Sequence, residues 1–98
     1  MKLGNYECKT TFWMDFSIAE AFGESAIRDT YRRAMKEWKT DIVYLTELVM
    51  VLNHKCWKFA ESNRALCELY YHLWDSADSY CMNNLQGEEM RYYLEITD

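Results

Sequence analysis

DIVYLTELVMVLNHKCWKFAE, residues 41–61, decides how the chain folds, because nothing in it interrupts a long apolar helix. At about 100° per residue, Leu45, Leu48, Val49, Leu52, Cys56 and Phe59 collect on one face, with Ile42 and Ala60 at its edge. Val43, Met50 and Trp57 recur at heptad steps on another side, with Thr46 and Asn53 between them, as seam positions of a coiled coil do. Glu47, His54, Lys58 and Glu61 remain as a polar strip. A helix with two apolar contacts and one wet edge is central to a bundle or lies in an interface.

Composition narrows the class. The chain has 98 residues, half of them hydrophobic, with no proline and three glycines. One core is what that length supports, and the apolar fraction excludes a disordered polymer. We therefore expect residues 1–98 to form a single all-α domain. No stretch approaches the roughly 18 consecutive apolar residues of a membrane span, and the N-terminus lacks the apolar centre of a signal peptide, so a cytoplasmic protein is expected. The four cysteines are scattered singly, which favours free thiols over disulfides in that compartment.

Working outward, residues 1–16 read as an extended N-terminal arm. Tyr6, Cys8, Thr10 and Phe12 alternate as in a strand, but no later segment offers itself as a partner. Ser17-Ile18-Ala19-Glu20 has the form of a capping box, placing a short helix over Ile18–Phe22 that Gly23 ends. From Ser25 to Lys39 the spacing of Ile27, Tyr31, Ala34 and Trp38 predicts an amphipathic helix, and Thr40 or Asp41 caps the central one. Ser62 or Asn63 caps a helix over 64–85 whose face is Leu66, Leu69, Tyr70, Leu73, Trp74, Ala77, Tyr80 and Cys81. Gly87 stops it, and Glu88 and Glu89 suit the first turn of a last short helix. The expected architecture is a compact bundle of three main helices plus two short ones.

Chemistry-bearing patterns are weak. His54 lies between Glu47 and Glu61, and His72 between Glu68 and Asp75, yet neither reproduces the Glu-x-x-His spacing of carboxylate-bridged metal centres in bundles or a zinc motif. Asp75-x-x-Asp78, extended by Glu68, resembles half of the oxygen cage with which helical nucleotide hydrolases hold magnesium; a matching pair on another helix is missing. There is neither a Gly-x-Ser-x-Gly turn nor a phosphate-cradling glycine loop. No catalytic, cofactor-binding or metal-binding residue is assigned.

Surface character says more. Arg28, Arg32 and Lys36 run along one helical side, but acidic residues are interleaved, and residues 41–98 hold four basic against ten acidic side chains within a total charge of −5. That balance disfavours nucleic acid as a partner, since phosphate neutralisation supplies most non-specific affinity. Glu68, Asp75 and Asp78 form the complementary acidic row, which could imitate a phosphate backbone toward a basic enzyme. Sixteen aromatic side chains exceed what a small core readily hides (four Trp, eight Tyr and four Phe). The doublets Tyr70-Tyr71 and Tyr92-Tyr93 push one ring of each pair outward.

The segments TTFWMDFSIAEAFG, SAIRDTYRRAMKEW, YLTELVMVLNHK and YYLEITD resemble a family of small helical proteins of unknown function from gut bacteria, their phages and conjugative elements. The resemblance implies a cytoplasmic accessory protein and brings no site residues with it. The expected function is a non-enzymatic protein-interaction module, homodimeric through Val43, Met50, Trp57, Tyr71 and Tyr92. The alternative is an acidic regulator of a nucleic-acid enzyme, and the third reading a metal-dependent nucleotide hydrolase. Neither membrane nor small molecule is expected as a partner.

Overall fold

A computed structural model describes residues 1–97, so Asp98, the last residue of the YYLEITD segment, lies outside the described residues. Two short strands, β1 (Lys2–Leu3) and β2 (Tyr6–Glu7), precede five helices: α1 (Phe12–Glu20), α2 (Glu24–Trp38), α3 (Ile42–Lys58), α4 (Arg64–Asn84) and α5 (Gly87–Thr97). Among the described residues the protein is all-α apart from that one hairpin.

Local chemistry explains the helix ends. Asp41 accepts hydrogen bonds from the Val43 and Tyr44 backbone N–H groups at 3.1 Å, satisfying two of the orphan donors that open α3. Asn63 does the same for Leu66 N–H at the start of α4. Gly23 sits at φ 109° and donates its N–H to the Ala19 carbonyl, so it ends α1 in a conformation that other residues rarely adopt.

The first helix departs from the expected one. It begins at Phe12, not Ile18, and Ser17 lies inside it with its hydroxyl bonded back to the Trp13 carbonyl at 2.8 Å. Ser17 and Glu20 are therefore no capping box. Thr10 and Asp15 provide the start instead: the Thr10 hydroxyl accepts the Phe12 N–H, and Asp15 stands in the first turn, where the helix dipole favours an anion. Nor is residues 1–16 an extended arm. Of the strand-like residues only Tyr6 finds a strand partner, upstream, in an antiparallel register pairing Leu3 with Tyr6 and Lys2 with Glu7. Gly4, at φ 62°, makes that tight turn possible.

Helix α3 touches α1, α2, α4, α5 and β1. Leu45, Leu48, Val49, Val51 and Leu52 are almost wholly buried on it, joined by Phe16, Ile27, Tyr70, Ala77, Cys81 and Tyr93 from the surrounding helices. Each such aliphatic side chain stabilises the fold by about 1.5–3 kcal/mol relative to exposure. Tyr70 is held between the edge-on ring of Phe16 and the parallel ring of Phe59. Among the described residues no helix is long and apolar enough to cross a membrane.

Candidate functional site

The densest polar constellation surrounds Lys55. This side chain shares its sector of α3 with Leu48 and Leu52, at seven- and three-residue offsets, and is completely buried. Its ammonium group lies 2.9 Å from Glu20, donates to the Ser17 hydroxyl at 2.6 Å and sits 4.1 Å from the centre of the Trp13 ring. Tyr70 donates its phenol proton to the same Glu20 carboxylate at 2.6 Å. Helices α1, α3 and α4 thus meet at one cation and one anion.

A serine beside a buried lysine resembles a nucleophile and its base. That chemistry needs a neutral amine. Burial does lower the Lys55 pKa, but Glu20 opposes the shift, and an indole face plus a carboxylate at these distances stabilise the charged form. Neither groove described below is lined by Ser17 or Lys55. The cluster acts as a lock between helices. Periodicity does not reveal the cluster, because its partners lie on two other helices; the available signal is a charged residue in the sector of α3 that Leu48 and Leu52 occupy.

Glu47 forms a second buried cluster. It is completely buried rather than part of a wet strip. Its carboxylate accepts the Lys9 N–H at 2.7 Å, the Thr10 N–H at 2.8 Å and the Thr10 hydroxyl. The chain passing from the hairpin into α1 therefore covers the side of α3 that periodicity leaves open. Nearby, burial first, then the Tyr92 hydroxyl and Glu47, push the Tyr6 phenol above its ordinary range. Burial also raises the Cys8 thiol, reinforced by Glu47.

Between α4 and α5, Tyr93 donates its hydroxyl proton to Asp78, and the adjacent Cys81 thiol is pushed up to about 11, chiefly by burial. The two remaining cysteines meet: Cys56 on α3 and Cys67 on α4 have their sulfur atoms 3.7 Å apart, both half-buried.

The residues singled out from sequence separate into distinct places. Of the seam line, Val43 and Met50 are half-buried, and Met50 lines a groove shared with Tyr93, Leu94 and Trp74, so α5 already stands beside it. Only Trp57 is free, at 74% exposure. Tyr71 is exposed, stacked obliquely near Trp74, whereas Tyr92 is half-buried close to Tyr6. The line therefore does not form one continuous surface. In the charged rows, Arg28 pairs with Glu24 and Arg32 with Asp29, while Lys36 is exposed and has no such bridge among the described residues. Glu68 pairs with Arg64, Asp75 is exposed, and Asp78 is engaged by Tyr93, which removes it from an acidic face. His54 and His72 are both exposed. Among the described residues no three His, Cys, Asp or Glu side chains converge as a metal site.

The most open apolar feature lies elsewhere, on α1 and the turn that follows it. Met14, Ile18 and Phe22 are 62%, 56% and 79% exposed and follow one another at four-residue steps. Ile18 and Phe22 also border a groove of about 880 Å³ between α1 and α2, whose opposite wall includes Arg32, Arg33 and Trp38. Periodicity missed this row because residues 12–16 were read as extended chain.

Comparison of the chain with protein-family models, curated proteins and solved structures gives no match.

Proposed function

We propose that the protein is a non-enzymatic interaction module that works as a homodimer in the cytoplasm, built on a helical bundle and needing no cofactor. The observation that carries this reading is the solvent-exposed row Met14, Ile18, Phe22. Large apolar groups aligned along a helix and the turn that ends it are costly to leave in water and commonly mark an association surface.

A second copy suits this row because it is symmetric about its middle residue. In an antiparallel arrangement around a two-fold axis, Ile18 meets its own copy while Met14 faces Phe22 in both directions, the self-complementarity an isologous contact requires. Three side chains supply well under the roughly 800 Å² per partner of a standard interface. The groove rim at Arg33 and Trp38 must join in, and the dimer is weak, on the order of micromolar. This reading moves the interface from the Val43, Met50 and Trp57 line to α1.

Light scattering across a concentration series tests the proposal. The native chain should approach twice its monomer mass at high concentration, and Ile18→Asp should stay monomeric with unchanged helicity. Trp57→Asp serves as the comparison and should leave the dimer intact. A chain that remains monomeric at its solubility limit overturns the reading; dimer loss in Trp57→Asp but not Ile18→Asp returns the interface to α3.

A further inference from the structure

Four cysteines occupy unequal positions. Cys81 is fully buried beside Tyr93, and Cys8 lies near Glu47 at the hairpin. Cys56 and Cys67 instead touch across the corner where α3 leads into α4, at 3.7 Å between sulfur atoms, and both reach the surface in part. Each stands near a helix end, Cys56 in the closing turns of α3 and Cys67 in the first turn of α4, where the Cys67 N–H bonds the Asn63 carbonyl. A disulfide bond needs sulfur atoms at about 2.05 Å. The remaining approach is short enough for side-chain rotation and a small shift of helix ends.

We infer that Cys56 and Cys67 form a modification site: a dithiol that a low-molecular-weight disulfide such as glutathione disulfide converts to an intramolecular Cys56–Cys67 bond. One cysteine thiolate attacks a sulfur of glutathione disulfide, breaking its S–S bond and releasing one glutathione thiolate. The other cysteine thiolate then attacks the protein-side sulfur of the mixed disulfide and expels the second glutathione. The two thiol protons end on two glutathione molecules; the protein loses two electrons and the glutathione disulfide gains them. Proximity makes the second step intramolecular, which favours the bridge over a stable glutathione adduct.

The environment also regulates the rate. Burial, then the adjacent Cys67 sulfur, hold the Cys56 thiol above its ordinary range, so the pair exchanges slowly near neutrality and faster in alkali. The product ties α3 to α4 beside the exposed Trp57.

The full chain, reduced and then freed of reductant, is equilibrated in mixtures of glutathione and its disulfide, acid-quenched, alkylated and mapped by non-reducing mass spectrometry. The expected species is lighter by two hydrogens before alkylation, joins the Cys56 and Cys67 peptides, and carries alkyl groups on Cys8 and Cys81. Cys67→Ser should stop at a single glutathione on Cys56; should that variant lose helicity, Cys56→Ala with glutathione retained on Cys67 answers the same question. Four alkylated thiols at every ratio, a glutathione adduct that persists in the native chain, or a bridge to Cys8 or Cys81 overturns the inference.

Discussion

Two completely buried charges stand on the same helix, and they are satisfied in different ways. Glu47 receives two backbone N–H groups and one hydroxyl from residues 9 and 10. Lys55 receives a carboxylate, a hydroxyl and an aromatic face, all from side chains of α1. Backbone donors exist whatever residues supply them, so the Glu47 clamp depends on chain path. The Lys55 lock depends on residue identity at three positions. A buried charge is costly without partners, which makes both clusters structural commitments, but the second is the more sensitive to substitution around it, since only the Thr10 hydroxyl among the Glu47 donors is a side chain.

Breaking the lock gives the largest expected effect. Lys55→Met leaves Glu20 facing Tyr70 and Ser17 without its cation, and removing one partner of a buried pair costs about 3–4 kcal/mol. For a chain of this length that lowers Tm by roughly 12–30 °C, measurable by circular dichroism. Adding Glu20→Gln should recover part of the loss, because the pair is coupled; additive losses would show that the two groups act independently.

The clamp comes next. Glu47→Ala strands the Lys9 and Thr10 donors and should cost about 2 kcal/mol. Its distinguishing sign is local: amide exchange in residues 1–10 should rise further than in α4. Uniform protection along the chain would contradict the clamp.

Alkali separates the regions through phenols. Tyr70 belongs to the lock and Tyr6 to the clamp, and burial raises both pKa values above the ordinary 10.0. A raised acid contributes stability that is intact below its unfolded pKa and lost as pH rises beyond it. Lys55 runs opposite: with its folded pKa lowered from 10.5, the folded chain sheds that proton first and gains stability as pH rises toward the unfolded value. The phenols outnumber it. The free energy of unfolding should fall by about 1.4 kcal/mol per pH unit for each raised phenol above pH 10, and Lys55→Met should differ in slope from the native chain only below the unfolded lysine value of 10.5, where the opposing gain operates.

The smallest effects discriminate most sharply. Lys9→Ala should change stability by less than about 0.5 kcal/mol, since Glu47 binds its backbone. Trp13→Leu should cost about 1 kcal/mol through lost cation–π attraction. Equal costs for the two would erase the distinction between path and identity.

Much of this architecture was legible in residue order. The caps at residues 40–41 and 62–63, of which the structure selects Asp41 and Asn63, the stop at Gly23 and the central place of residues 41–61 follow from local rules of backbone satisfaction. What escaped were contacts between segments far apart in sequence. Periodicity assigns Glu47 to water because no rule looks ahead to the hairpin that covers it, and Ser17 imitates a helix cap because its true partner, Lys55, lies on another helix. The α1 row was hidden by the same error: once Phe12 opens the helix, Met14, Ile18 and Phe22 fall into line.

Trp13 lends the molecule an optical gauge. An indole with an ammonium group 4.1 Å from its ring centre absorbs and emits in a strong local electric field. Its transition energy shifts when that ammonium withdraws, whereas Trp57, already bathed in water, has little to report. Any event that separates α1 from α3, whether a partner prising at the exposed row or simple thermal opening, therefore shifts the Trp13 share of the fluorescence, which Trp13→Phe isolates by difference.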